Sequence, residues 1–188
     1  GLSTESELSQ TENASNTGFS ASSYTNQQYH LGDVNGDGKA DVVWTYRNNN
    51  ALGRVLFLAD SDGQGFTETS SVTDTGYTAS VVDDDSQQYL MGDVNGDGKS
   101  DLICHIDTVV RTIYLANSSG TGFVSQGYEV EARPHYNEFL QGRYRIADVN
   151  GDNLQDLVWV YHHNNKIGIT TYLAQLDGSN VYLGKASE

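Results

Sequence analysis

Short hydrophobic runs recur along the chain, and each is rich in β-branched and aromatic residues. Three of them cover residues 41–46, 101–106 and 156–161, and a second set covers 54–59 and 111–116. Runs of this length and composition, bounded by turn-forming residues, are typical of β-strands. Since no segment keeps a helical period, the sequence predicts an all-β fold.

The strands repeat in the same order three times. A short strand precedes a polar loop at 29–32, 89–92 and 144–147, and further strands follow it at the runs above and at 169–174. A fourth strand opens at Phe66, Phe123 or Val181 after a turn. Four antiparallel strands form one blade of a β-propeller. The sequence therefore predicts three four-stranded blades at about 29–70, 89–128 and 144–186.

The polar loop is the strongest chemical signal. It alternates side-chain oxygens at positions 1, 3, 5 and 9, and position 7 offers a backbone carbonyl, which is the donor set that Ca²⁺ prefers. The predicted ligands of three calcium sites are Asp33, Asn35, Asp37, Lys39 and Asp41; Asp93, Asn95, Asp97, Lys99 and Asp101; and Asp148, Asn150, Asp152, Leu154 and Asp156. Position 6 is glycine in two loops and Asn153 in the third, so we expect the third loop to bind most weakly.

The flanking residues distinguish between families that share such a loop. A helix-loop-helix calcium site needs Glu at position 12, where this chain has Trp44, Cys104 and Trp159. The loops also start at residues 33, 93 and 148 and run directly into strands, unlike the closely spaced loops of dockerins. The pattern resembles the FG-GAP or VCBS repeats of integrin-α-like β-propellers, which are related to propeller lectins. The resemblance implies a structural calcium ion that lies away from the ligand-binding surface.

The beginning of the chain resembles part of another blade. Residues 17–20 match 64–67 and 121–124, so 17–24 read as an outer strand of a preceding blade, and the polar residues 1–16 read as a flexible tail or linker. Residues 17–188 then form a propeller segment. Three blades do not close a ring of the usual 4–8. The chain is therefore a piece of a longer propeller, half of a six-bladed ring of two copies, or an arc packed on another domain.

The composition limits the classes of partner that the chain could bind. The chain has 10 Lys and Arg against 25 Asp and Glu, a net charge of −15. This charge argues against binding to nucleic acid or to anionic membranes, and no apolar run reaches the ~20 residues of a membrane span. Calcium loops of this type suit the millimolar calcium outside cells, so we expect a secreted or cell-surface protein. Cys104 replaces a tryptophan and is expected to be packed rather than reactive.

Function is less constrained than fold. The resemblance favours a non-catalytic, calcium-stabilised recognition module that binds a glycan or a cell-surface protein, and the repeated aromatic residues slightly favour carbohydrate. The alternative is an accessory or scaffold segment of a larger secreted hydrolase, lyase or toxin. No catalytic residues are predicted, although Glu131 and His135 could be paired on paper. Ligand-binding residues stay unknown; Tyr77 and residues 133–138 are weak candidates.

Overall fold

The computed structural model describes residues 24–48, 51–74, 88–106, 110–130 and 140–186. Within these ranges the chain forms twelve β-strands and no helix. The strands are β1 Thr25–Gly32, β2 Asp41–Asn48, β3 Ala51–Ala59, β4 Phe66–Asp74, β5 Gln88–Gly92, β6 Asp101–Ile106, β7 Val110–Ala116, β8 Phe123–Val130, β9 Leu140–Ala147, β10 Asp156–His163, β11 Lys166–Asp177 and β12 Asn180–Lys185. The described part of the chain therefore offers no helix long and apolar enough to cross a bilayer.

The strands assemble into three antiparallel sheets in simple chain order. Strands β1–β4 form blade 1, β5–β8 form blade 2 and β9–β12 form blade 3. Each strand pairs with its neighbour in sequence through a short connection, which antiparallel pairing permits. The all-β prediction and the three four-stranded blades are confirmed. The three sheets do not close into a ring. The tail predicted at 1–16 and most of the strand predicted at 17–24 lie outside the described residues.

Blade 2 is buried on both faces, one against blade 1 and the other against blade 3. One cluster joins Val43 and Leu56 of blade 1 to Leu102 and Tyr114 of blade 2. A second joins Ile103 of blade 2 to residues of blade 3 that include Leu157 and Trp159. Because alternate residues of a strand point to opposite faces, Leu102 and Ile103 serve different junctions. The core of this protein therefore lies between the sheets.

The aromatic residues at repeated positions mostly pack in these junctions. Tyr89, Tyr114, Tyr144, Trp159 and Tyr172 are all buried. The interpretation of these rings as inter-blade packing is therefore confirmed.

Cys104 lies in the first junction and is buried. Burial raises the pKa of its thiol to about 12, so the side chain stays neutral and behaves as a small apolar group. The expectation of a packed cysteine is confirmed.

An arginine from one blade lies over a tyrosine of the next in both junctions. The guanidinium carbon of Arg54 is 3.8 Å from the ring centre of Tyr114, and that of Arg111 is 4.3 Å from the ring centre of Tyr172. The Nη2 of Arg111 also donates to the carbonyl oxygen of Leu183, at 3.2 Å. Such cation–π contacts strengthen when they are removed from water. The same arginine–tyrosine pair therefore occurs in both junctions.

Glycines under aromatic rings allow close packing within a blade. Gly53 pairs with Tyr46 across β2 and β3, and a Cβ at residue 53 would overlap the Tyr46 ring. Tyr46 is almost fully buried, so the ring has little room to move. A small residue is therefore required at this position.

We expect Gly53→Ala to destabilise the protein by about 1–3 kcal/mol, the usual cost of forcing extra volume into a packed core. Chemical denaturation would measure the loss as a lower midpoint. Gly184→Ala is the matched control, because the added methyl group would meet only the end of the flexible Gln175 side chain, at 3.1 Å. Equal midpoints for the two variants would show that Tyr46 does not confine residue 53.

Candidate metal loops

The three polar segments form nearly identical loops between the first and second strands of each blade. We call residues 33–41, 93–101 and 148–156 the aspartate loops. In the first, one carboxylate oxygen of Asp33 accepts a hydrogen bond from the N–H of Gly36 and the other from the N–H of Gly38, both at 2.7 Å. The other two loops repeat both bonds at 2.6–3.0 Å. The first aspartate thus holds the loop backbone around its own carboxylate.

Positions 3 and 5 complete the turn. The side-chain oxygen of Asn35 accepts from the N–H of Asp37 at 2.8 Å, and a carboxylate oxygen of Asp37 accepts from the N–H of Lys39 at 2.9 Å. Equivalent bonds of 2.8–2.9 Å occur in the second and third loops. Short polar side chains favour such bonds to the backbone two residues on. Each loop therefore brings two aspartates and one asparagine into a single turn.

Position 6 needs a left-handed backbone in every loop. The φ angles are 84° at Gly38, 82° at Gly98 and 69° at Asn153. Glycine takes such angles without strain, and asparagine is among the few other residues that tolerate them. The backbone predicted for Asn153 is confirmed; the weaker metal binding of the third loop stays a prediction.

The aspartate at position 9 has a different environment from the others. Asp41, Asp101 and Asp156 are completely buried. In each, one carboxylate oxygen accepts from the N–H of position 2 of the loop and the other from the N–H of an alanine in the third strand, at 2.8–3.1 Å. These side chains tie the loop to the blade, and their role as metal ligands stays a prediction.

Burial has an electrostatic consequence at Asp101. Its removal from water raises the pKa of the carboxyl group to about 7, while the backbone N–H groups of Ala116 and Val94 act in the opposite direction. The nearby carboxylates of Asp97 and Asp93 raise it further. The loop therefore concentrates negative charge that only backbone dipoles and cations offset.

Position 7 differs between the loops. The ammonium group of Lys39 lies 2.9 Å from a carboxylate oxygen of Asp37 and lowers its pKa. Lys99 instead donates to the carbonyl oxygens of Asn117 and Ser118, and the third loop has Leu154. In the first loop a side-chain cation thus already compensates part of the carboxylate charge.

The loops also join the blades to one another. The N–H of Ser100 in the second loop donates to the carbonyl oxygen of Asp33 in the first, at 2.6 Å. The N–H of Gln155 in the third loop donates to the carbonyl oxygen of Asp93, at 2.8 Å. Position 8 of one loop therefore contacts position 1 of the loop before it, and the three loops form one connected edge.

The donor chemistry of each turn fits a hard cation. Asp33, Asn35 and Asp37 place side-chain oxygen atoms in one turn, and oxygen is the ligand that Ca²⁺ prefers. Asp41 is buried beside this turn, and its role as a ligand stays a prediction. The described residues contain no group of three or more Asp, Glu, His or Cys side chains arranged to hold a metal ion.

Sequence reasoning missed several residues that build the junctions. Gln88 of blade 2 donates from its amide to the carbonyl oxygen of Gly142 and accepts from the N–H of Tyr144, so it binds the first strand of blade 3. Arg54 and Arg111 were not singled out either. Their occurrence at the same position of two repeats was the signal that could have revealed them.

The family comparison agrees with this architecture. Residues 33–104, which run from the first aspartate loop through the β6 strand, match the model of the FG-GAP-like repeat. Residues 33–104 therefore carry an FG-GAP-like repeat. No curated protein and no solved structure matches it. The matched region includes two complete aspartate loops and the hydrogen bond that joins them.

We expect Asp101→Asn to cost about 1–3 kcal/mol of stability. The amide keeps one acceptor oxygen but turns an NH₂ group toward one of the two buried N–H donors, which then loses its partner. Urea denaturation would measure the change. Asp62→Asn is the control, because Asp62 accepts one bond from Gln64 in an exposed turn. If both variants unfold at the same urea concentration, the buried carboxylate does not anchor the loop.

Proposed function

We propose that this FG-GAP-like segment is a non-catalytic extracellular recognition module, and that its three aspartate loops bind calcium for structural support. The observation that carries the proposal is the threefold repetition of one oxygen-rich turn at the edge where the blades meet. A cation in each turn would support the junctions and leave the other surfaces of the blades for a ligand.

Charge supports a cation in these loops. Each loop contains three aspartates within nine residues, and the chain as a whole carries a net charge of −15. Like charges at such separations repel one another. A divalent ion held by Asp33, Asn35 and Asp37, or by their equivalents, would relieve the repulsion in each turn. Binding at a site that the unfolded chain lacks would then add to the stability of the fold.

We expect calcium to raise the melting temperature of the chain and a chelator to lower it. At a calcium concentration about 100 times the dissociation constant, one site contributes about 2.7 kcal/mol. Titration calorimetry should give three ions per chain, and Asp97→Ala should reduce this to two. Asp62→Ala, in an exposed turn outside the aspartate loops, should keep all three. A melt that is insensitive to calcium in the wild type would show that these loops are ordinary turns.

Burial between the blades reduces the number of aromatic side chains that a ligand could contact. Most of the repeated rings are buried between blades, whereas Tyr182 and Phe66 are exposed on outer strands. Tyrosine combines an apolar ring with a polar hydroxyl group and suits a sugar. The two weak candidates, Tyr77 and residues 133–138, lie outside the described residues. We therefore favour Tyr182 as the first position to test for glycan contact.

A glycan array probed in calcium should show binding that a chelator abolishes. Tyr182→Ala should reduce that binding at least tenfold, because it removes an exposed ring while leaving the buried side of β12 intact. Leu176→Ala is matched in exposure and lies on the adjacent strand without a ring, so it should bind as the wild type does. Turnover of a bound glycan would contradict the non-catalytic proposal.

A second candidate is a scaffold segment of a larger secreted protein. It is favoured by the apolar residues exposed on the outer faces of blades 1 and 3, which include Leu31 and Ile167. A blank glycan array together with calcium-dependent stability would support this alternative over the recognition module.

A further inference from the structure

The two junctions inside the chain follow one set of pairings. Arg54 and Arg111 lie over Tyr114 and Tyr172 of the next blade. In the first junction the ring of His30 lies 5.3 Å from that of Tyr89. At the equivalent place in the second junction, Leu90 and Tyr144 pack in the same cluster. These pairings, with the loop-to-loop hydrogen bonds, define what a following blade must supply.

The residues equivalent to those of the two junctions also occur on two outward faces, where the described residues provide no neighbouring blade. We call the outward side of blade 3 the trailing face and the outward side of blade 1 the leading face. On the trailing face, Val149, Ile167 and Ile169 are 50%, 69% and 65% exposed. On the leading face, Tyr29 and Leu31 are 68% and 66% exposed. The residues equivalent to Val149 in the other loops, Val34 and Val94, are fully buried.

The leading face presents an apolar row beside the aspartate loop. Leu31 pairs with Val42, which pairs with Phe57, so the three side chains lie next to one another. The equivalent row in blade 2 is Met91, Leu102 and Tyr114, and it packs against blade 1. Tyr24 covers Trp44 and Tyr46 further along the sheet and leaves this row open.

Some residues of the trailing and leading faces differ from their equivalents in the inner junctions, and each change on one face is complemented by a residue on the other. Ile169 takes the place of Arg54 and Arg111, and Phe57 takes the place of the tyrosines they cover. An apolar pair thus replaces the cation–π pair. Conversely, Arg145 takes the place of His30 and Leu90, and it would face Tyr29. A cation–π contact would therefore form between the first strands of the two blades instead of between their third strands.

The polar groups of the trailing face also complement those of the leading face. The trailing face has a cleft of about 300 Å³ lined by Arg143, Arg145, Val160 and His162. Arg143 stands where Gln88 binds the first strand of the next blade, so the cleft lies where a following Tyr29 would enter. The carbonyl of Asp148 and the N–H of Ala40 are the equivalents of the groups that join the loops.

We propose that two copies of this chain associate head to tail, with the trailing face of each copy on the leading face of the other. Two such contacts related by a twofold axis close a ring of six blades, within the usual range of propellers. The partner is a second copy of this chain because the trailing face carries one member of each altered pair and the leading face carries the other. The two pairs are Ile169 with Phe57 and Arg145 with Tyr29. Neither face is then left as an exposed apolar patch.

One position opposes a close fit. Ala147 stands where Gly32 and Gly92 let the next loop approach, and a Cβ at residue 32 would lie 2.8 Å from the Cβ of Ser100. At the third junction Ala147 would meet Ala40 in that way, so the contact must open slightly. Ala147→Gly should therefore tighten the association of two copies, because it removes the Cβ that would meet Ala40.

The mass of the full chain in solution tests the proposal directly. In millimolar calcium, sedimentation velocity should give about twice the 20.5 kDa of one chain. Ile169→Asp and Leu31→Asp should each raise the dissociation constant of the dimer at least tenfold. Both residues are exposed in a single copy, so circular dichroism and the melt of the dissociated chain should be preserved. Ala147→Gly should lower the dissociation constant.

Val124→Asp is the matched control, since Val124 is also exposed but lies on the outer strand of blade 2. It should leave the dimer intact. A mass of one chain at all concentrations would overturn the proposal and assign the two faces to a different occupant. An open-ended series of masses would overturn the closed ring, and a dimer that Ile169→Asp and Leu31→Asp leave unchanged would place the contact elsewhere.

Discussion

The buried aspartate at the end of each loop is the constraint on which the rest of the structure depends. Asp41, Asp101 and Asp156 each join a loop N–H to the N–H of an alanine in the third strand. A buried carboxylate is costly unless its oxygens are hydrogen-bonded. Because the backbone of two elements provides those bonds, the loop can take only one position on the blade. That position aligns neighbouring loops and therefore neighbouring blades.

Local patterns explain why so much of the fold could be predicted. Alternation and β-branched residues mark the strands, and each aspartate loop organises its own turn through bonds that span two to five residues. The hairpin between β10 and β11 is another local case, since Asn164 and Asn165 adopt φ angles of 49° and 59°. These features depend on near neighbours in sequence, so the sequence alone carries enough information.

Contacts between blades were harder to predict because they join residues that are 54 to 72 positions apart. Arg111 and Leu183 meet only when two sheets are stacked, and so do Gln88 and Tyr144. The same limit applies to the aspartate loops. The sequence places Asp33, Asn35, Asp37 and Asp41 together, but it does not show that the last of them turns into the core. Its burial depends on β3, which supplies the N–H of Ala59.

The stacking of arginine on the next blade has a consequence for folding cooperativity. Arg54 leaves water only when blade 2 is in place, and Arg111 only when blade 3 is in place. The two larger hydrophobic clusters each span two blades, so much of the stability resides in nearest-neighbour coupling, as in other linear arrays of repeats. Loss of one blade then exposes the charged side chain of the blade before it. In a dissociated single chain, unfolding should spread inward from blade 1 or blade 3, and blade 2 should be the last to exchange its amide hydrogens.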